Sequence, residues 1–295
     1  MNDEREKLIL DLRRIRDNKD CINPDENIHI YVGLMLKYIG DTNFELRERL
    51  IVSMMCNWII DDYVTEEDIK KILYTVIREE NLLHGIGKEN DDSVYRRSSS
   101  VLLAACILFK HLQKGIFKEN EFVFIKDKLI EYYSLEKDFR GYDLENGWIH
   151  TAAHGADALG ELAQCIETDE LVHKEILAVI KKVILNEGYL FTRLEDERIV
   201  TTITKILSRG LISPQYLKNW LEELCACSPN FENWDSELSA CSSTKNFSPI
   251  PYTKYNNIRN FIRSLYFRLI HDKDKSDITD ALIVIEKRLN AFIDD

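Results

Sequence analysis

The sequence predicts an all-α fold, an α-solenoid in which helix pairs of about 50 residues stack on one another. Apolar residues recur at steps of three and four, as on one face of a helix, and strand-like alternation never persists. Glycine and proline number only 11 and 5 among 295 residues, so the chain lacks the turn residues that an all-β fold needs.

Helical periodicity runs through the whole chain. Three sets of residues recur most clearly at helical steps. They are Leu46, Leu50, Met54 and Trp58, then Val94, Arg97, Val101, Ala105 and Leu108, and finally the apolar stripe Ile278, Leu282, Ile285, Leu289 and Phe292. Several predicted helix starts carry capping residues, among them Thr65 and the pair Ser213-Pro214.

An internal repeat supports the stacked arrangement. Each copy has an acidic residue, a short turn, a basic anchor residue and an apolar run. The anchors are Arg47, Arg97, His150 and Arg198, which lie 50, 53 and 48 residues apart. The second helices of the first three pairs are predicted at 66–80, 119–133 and 169–185. Because such a pair cannot bury its apolar face alone, neighbouring pairs are expected to share one core.

The organisation changes towards the end of the chain. Residues 1–295 are predicted to form a single domain, with stacked pairs in 1–210 and C-terminal helices in 211–295. A segment near 228–257 is rich in Ser, Asn and Pro and is predicted to be a long loop. Two helices are expected after it, near 256–271 and 277–293, and the last either caps the stack or packs on a second copy of the chain.

Composition restricts the possible partners and compartments. Hydrophobic residues make up 45% of the chain, enough for a substantial core. The net charge of −12 disfavours nucleic acid as a partner, because an acidic surface repels phosphates. No run of eighteen apolar residues predicts a membrane span, and the charged start does not resemble a secretory signal. The seven cysteines, an odd number, are therefore interpreted as reduced thiols of a cytoplasmic protein.

The segment most informative about function follows Asp138. If residues 147–165 form a helix, His150, His154, Asp157 and Glu161 fall within about 40° of one another on one face. Trp148 and the small residues, such as Ala152 and Ala156, would then lie on the opposite, buried face. The candidate binding residues around this polar stripe are Asp138, Arg140, Tyr142, Trp148, Glu161 and Arg97.

Three interpretations of the stripe remain open. His150, His154 and Asp157 could ligate a divalent metal ion. Alternatively, a histidine could exchange protons near neutral pH while Arg140 and Tyr142 hold an anionic group, which would be acid–base chemistry or ligand binding. The third interpretation is structural, with both histidines hydrogen-bonded to neighbouring elements.

The string Gly147-Trp148-x-His150-x-x-Ala153-His154-Gly155-Ala156-Asp157, preceded by Asp138-x-Arg140-Gly141-Tyr142, resembles the signature of domain of unknown function family 2785. Arg97-Ser98-x-Ser100 and Glu197-Arg198 are similar to further stretches of that family, although Ser99 replaces its aromatic residue. The resemblance spans about residues 90–210 and implies a bacterial origin and a helical repeat fold, without an established activity. The acidic-to-basic pattern of the first two copies also resembles HEAT repeats.

These observations favour a non-enzymatic scaffold that binds a protein or peptide in a concave groove, because no complete catalytic set is present. The alternative is an enzyme or small-ligand binder centred on His150, His154 and Asp157. No cofactor is expected for the first hypothesis, whereas a divalent metal ion is possible for the second.

Overall fold

A computed structural model describes residues 2–228 and 250–290. The helices of the first part are α1 (Asn2–Asp17), α2 (Ile28–Lys37), α3 (Ser53–Ile60), α4 (Glu66–Val76), α5 (Ser93–Lys114), α6 (Glu119–Leu135) and α7 (Thr151–Gln164). The later ones are α8 (Glu170–Ile184), α9 (Glu195–Arg209), α10 (Pro214–Cys225), α11 (Ile250–Leu269) and α12 (Ser276–Leu289). A π-helix, Glu45–Val52, runs directly into α3, and a 3-10 turn, Lys273–Lys275, precedes α12.

The only strands in the described ranges are β1 (Tyr142–Asp143) and β2 (Gly147–Trp148), which form one small antiparallel hairpin. The predicted all-α class is therefore confirmed. None of the described helices combines the length and hydropathy that crossing a membrane requires.

The chain divides into two compact units, Met1–Thr168 and Asp169–Asp295. The expectation that 1–295 form a single domain stays a prediction. Unit 1 contains the hairpin and the helices up to α7, including every residue of the predicted polar stripe.

Helix α5 is the centre of unit 1. It packs between α3 and α7, and α4 also lies against it, while α6 packs on α7. Because α5 has neighbours on several sides, most of its 22 residues are buried, including Leu103, Ile107 and Leu108. It ends at Gly115, whose left-handed backbone (φ 63°) is the conformation that glycine adopts most readily after a helix.

Two contacts in unit 1 join residues about 50 positions apart. Lys110 Nζ donates to Ile60 O (2.7 Å), 50 residues away, and so links the C-terminal end of α3 to α5. Lys70 Nζ of α4 lies 2.8 Å from Glu121 Oε2 of α6, at an offset of 51. These contacts tie α3 to α5 and α4 to α6.

Unit 2 is built around α11, which packs against α8, α9 and α12. Asn257 on α11 is fully buried, donates to Tyr189 O and accepts from the backbone N–H of Phe191, so it holds the chain that leads into α9. The predicted stripe on the last helix is buried at Ile278, Leu282, Ile285 and Leu289; Phe292 lies outside the described residues.

Several local predictions are confirmed and one is corrected. Thr65 forms a complete capping box with Asp68, and Ser213 accepts from the backbone N–H of Tyr216 at the start of α10, with Pro214 next in sequence. The loop predicted near 228–257 is wrong at its end, because α11 already begins at Ile250. The apolar periodicity of α11 outweighs the Pro and Asn residues at its start. The rest of that segment, 229–249, lies outside the described residues.

Candidate functional site

The predicted site opens with a tight β-hairpin. Tyr142 pairs with Trp148 across the two strands. Asp143 closes the turn, because its Oδ1 accepts hydrogen bonds from the backbone N–H groups of Glu145 (2.9 Å) and Asn146 (2.8 Å). The side chain of Leu144, at the tip, is 93% exposed.

The helix predicted to begin near Gly147 begins later, because Gly147 and Trp148 form the second strand of the hairpin. Helix α7 starts at Thr151, and His150 is its N-cap with a left-handed backbone (φ 53°). This conformation is unusual for a residue with a side chain and occurs preferentially at functional sites. Trp148 belongs to the hairpin, so its predicted position on the buried face of the helix was wrong.

Contacts with Phe44 and Arg47 fix the second strand of the hairpin against an earlier part of the chain. Gly147 lies so close to Phe44 that an added Cβ would come within 2.2 Å of the ring. Arg47 is 1% exposed, and its Nη2 donates to Asn146 O (2.7 Å) and Trp148 O (3.0 Å). The guanidinium also stacks on the ring of Tyr95, 4.2 Å from the centroid. The hairpin is thus held by an arginine about 100 residues earlier in the chain.

Four aromatic rings form a continuous row from the hairpin into α7. Ring centroids lie 4.8 Å apart for Tyr142 and Trp148, 4.3 Å for Trp148 and His150, and 5.7 Å for His150 and His154. Tyr142 is 41% exposed, and the other three are partly exposed. The two predicted imidazoles therefore do lie side by side, with Trp148 next to them.

A hydrogen bond between α5 and α7 sets the proton position of His154. Ser98 Oγ on α5 donates its only proton to Ile149 O and lies 2.9 Å from His154 Nδ1. Since the hydroxyl proton is used, Ser98 can only accept from His154, and Nδ1 of the neutral imidazole carries the hydrogen. Nε2 is then the basic nitrogen, the atom that could bind a metal ion or accept a proton.

The stripe continues along α7 at Asp157 and Glu161, both half-buried, while Ala152, Ala156, Leu159 and Ala163 are buried as expected. Gly155 allows α7 to approach α6: a Cβ there would lie 2.3 Å from the ring of Tyr133. Tyr133 donates to Ala152 O (2.8 Å). Burial, and then the charge of Asp157, raise the pKa of the Tyr133 hydroxyl.

Two of the candidate binding residues are buried. Arg97 and Glu136 form an ion pair (Nε–Oε2 2.7 Å) in which both side chains are fully buried. Asp138 is also fully buried, accepts from Asn90 N and pairs with Arg140 at 2.7 Å. A ligand outside could not touch Arg97 or Asp138, so both support the segment before the hairpin from inside. Arg140 and Tyr142 lie closer to the surface.

The sequence did not reveal a second cluster, at the other end of α5. Among the described residues, His111, Cys165 and Glu167 form a group whose potential metal-ligand atoms all lie within 4.8 Å of one another. However, His111 Nδ1 accepts the backbone N–H of Phe117 (3.2 Å), which places the imidazole proton on Nε2, the nitrogen facing Glu167. A metal ion would need that nitrogen unprotonated, so we assign this cluster a packing role.

Comparison with known protein families shows to which family the chain belongs. A family profile described as "Protein of unknown function (DUF2785)" matches residues 82–267. The chain belongs to the DUF2785 family. The match confirms the resemblance inferred from the sequence and extends it in both directions. It contains Ser98, the hairpin and α7, whereas Arg47, which holds the hairpin, precedes it. Neither the curated proteins nor the solved structures contain a match to this DUF2785 protein.

Proposed function

We propose that this DUF2785 protein is a non-enzymatic binding module for a protein or peptide partner, with the 142–148 hairpin as its main contact. The observation that carries the proposal is the exposure of Leu144 (93%) and Tyr142 (41%) on a loop whose base is fixed by the buried Arg47. A loop that is already ordered loses little conformational entropy when it binds. Burial of an exposed leucine side chain stabilises a complex through the hydrophobic effect, and tyrosine is enriched among the residues that contribute most to the binding energy of interfaces.

The charges around the hairpin favour a basic partner. Asp143 and Glu145 flank Leu144, and Glu145 is exposed. The whole chain carries a net charge of −12, which attracts cationic groups and repels acidic ones. A peptide segment with Lys or Arg beside a large apolar residue would satisfy both the carboxylates and Leu144.

The same proposal includes the repeat architecture. The offsets of 50 between Ile60 and Lys110 and of 51 between Lys70 and Glu121 support HEAT-like pairs that stack in register in unit 1. Stacks of this kind bind partners on an extended concave surface. We therefore expect the partner to follow the stacked pairs and to be anchored at the hairpin.

Fluorescence anisotropy with labelled peptides tests the proposal. The probes are twelve-residue peptides that combine Lys or Arg with Leu or Trp, each compared with a counterpart in which Glu replaces the basic residues. We expect the basic peptides to bind and Leu144→Ser to weaken binding at least about tenfold, as for loss of an interface hot spot. Leu10→Ser is the matched control, because Leu10 is 64% exposed on α1. Equal affinities of wild type and Leu144→Ser would contradict the proposal.

A second function is favoured by the proton position of His154. With Nδ1–H directed at Ser98, Nε2 of His154 is a base or metal ligand, and His150 and Asp157 are one helical turn away on either side. Two imidazoles and a carboxylate are a donor set that zinc, manganese or iron accepts. The alternative is therefore a metal-dependent or acid–base enzyme, or a small-ligand binder, centred on these three residues.

Metal analysis of protein purified without a histidine tag separates the two functions. The second function predicts that the protein holds about one equivalent of zinc, manganese or iron, and that His154→Ala loses it. His29→Ala is the control and should keep the metal, because the His29 side chain is 61% exposed and distant in sequence from α7. Metal-free protein, together with unchanged folding and peptide binding of His154→Ala, would leave the binding module as the function.

A further inference from the structure

Two cysteines of neighbouring repeats face each other in unit 1. Cys56 on α3 and Cys106 on α5 are 50 residues apart, and Cys106 Sγ lies 3.8 Å from Cys56 O. One turn further along both helices, Lys110 Nζ donates to Ile60 O (2.7 Å), with the same offset. This second contact supports the register of the two helices that brings the cysteines together.

The two thiols also contact each other. Hydrogen bonding with the Cys106 thiol, and then burial, raise the pKa of Cys56. Both residues are half-buried and are not sealed in the fully buried core. In contrast, Cys165 is buried, and its Sγ donates to the backbone oxygen of Glu161.

We propose that Cys56 and Cys106 are a reversible disulfide-forming pair, a modification site distinct from the hairpin and α7. The disulfide would link α3 to α5 and close a loop that contains α4. The same offset of 50 residues joins Cys56 to Cys106 and Ile60 to Lys110. The two cysteines therefore meet because α3 packs against α5 in this register, and not because they are close in sequence.

The reaction needs an external oxidant, and a low-molecular-weight disulfide such as oxidised glutathione supplies it. The thiolate of one cysteine attacks one sulfur, forms a mixed disulfide and releases one glutathione thiolate. The other cysteine then loses its proton and attacks the protein sulfur of the mixed disulfide, which releases the second glutathione. Two protein thiols are oxidised to one disulfide, and one oxidised glutathione is reduced to two thiols.

Peptide mapping by mass spectrometry tests the pair in the full chain. The protein is incubated with oxidised glutathione, remaining thiols are alkylated, and the digest is analysed with and without dithiothreitol. We expect a peptide with Cys56 joined to a peptide with Cys106, lost on reduction, while Cys165 carries the alkyl label. Alkylation of both Cys56 and Cys106 after oxidation of the folded protein would overturn the proposal, as would a cross-link confined to Cys225 and Cys227.

Two single variants keep the proposal independent of the disulfide's stability. In Cys56→Ser, a mixed disulfide on Cys106 cannot resolve, so glutathione should accumulate there several-fold above wild type. In Cys106→Ser, glutathione should accumulate on Cys56 for the same reason. Absence of any adduct on the remaining cysteine in both variants would show that the site is closed to the oxidant and refute the pair.

Discussion

Ser98 on α5 and His154 on α7 are joined by a hydrogen bond of 2.9 Å in which the serine is the acceptor. The direction follows from the second contact of Ser98, whose proton goes to Ile149 O, an atom that can only accept. One buried hydroxyl on α5 thus decides which nitrogen of a histidine on α7 is basic.

Ser98→Ala should therefore alter the tautomer of His154. In wild type we expect the neutral ring to carry its proton on Nδ1, and in Ser98→Ala a mixture of both tautomers, measured by 15N NMR of the imidazole. Ile149 O also loses its donor, which should lower the free energy of unfolding by about 1–3 kcal/mol. Ser100→Ala is the control, because the Ser100 hydroxyl is buried and has no hydrogen-bond partner among the described residues. An unchanged tautomer in Ser98→Ala would contradict the assignment.

Gly155→Ala should destabilise unit 1, because the new methyl group would lie 2.3 Å from the ring of Tyr133. Tyr133 is buried and held by its bond to Ala152 O, so it cannot move aside easily. We expect a loss of about 2 kcal/mol in urea unfolding, even though alanine favours a helix more than glycine does. Gly33→Ala, in the interior of α2 with nothing within 4 Å of the added carbon, should be neutral or stabilising by up to about 1 kcal/mol. A similar effect of both substitutions would show that the close approach is not limiting.

Removing one partner of the Arg97–Glu136 pair should be severe. Both side chains are fully buried, so Glu136→Gln leaves a guanidinium without its counter-charge, which typically destabilises by about 3–5 kcal/mol. The double variant Arg97→Met/Glu136→Leu removes both charges and should recover part of that loss. Denaturant unfolding of the single and double variants measures the difference. A double variant less stable than either single one would contradict this explanation.

The stability of unit 1 should depend on pH through Glu121. Hydrogen bonds from Lys70 and from the backbone N–H of Lys118 lower the pKa of this carboxyl to about 2. Because the pKa is lower in the folded protein than in the unfolded chain, the ionised carboxylate stabilises the fold fully at pH values above the usual glutamate pKa of about 4.5. This contribution is lost as the pH falls from about 4.5 to about 2. Glu121→Gln should then be about 1–2 kcal/mol less stable than wild type at pH 7.

Thermal or urea unfolding across this pH range checks the Glu121 prediction, and the difference between the two proteins should shrink towards pH 2. Glu119→Gln is the control, because Glu119 is exposed in the same first turn of α6. A difference that stays constant with pH would mean that Glu121 acts through packing and not through its charge.

The sequence by itself determined the helical class and much of the local structure. The capping box of Thr65, the start of α10 at Pro214 and the buried stripe of α12 all depend on residues within about one or two turns, and such contacts are visible in a linear pattern. The family resemblance was likewise visible, because it resides in one short string of residues that the family match contains.

The tertiary structure decided the details of the candidate site. Arg47 holds the hairpin across about 100 residues, and Ser98 orients His154 across 56. No helical periodicity encodes such contacts, because they depend on how helices that are distant in sequence pack together. The sequence also did not reveal the left-handed backbone of His150. The helical pattern of α7 can be extended back to Gly147, and only the hairpin in the folded structure shows that the helix begins at Thr151.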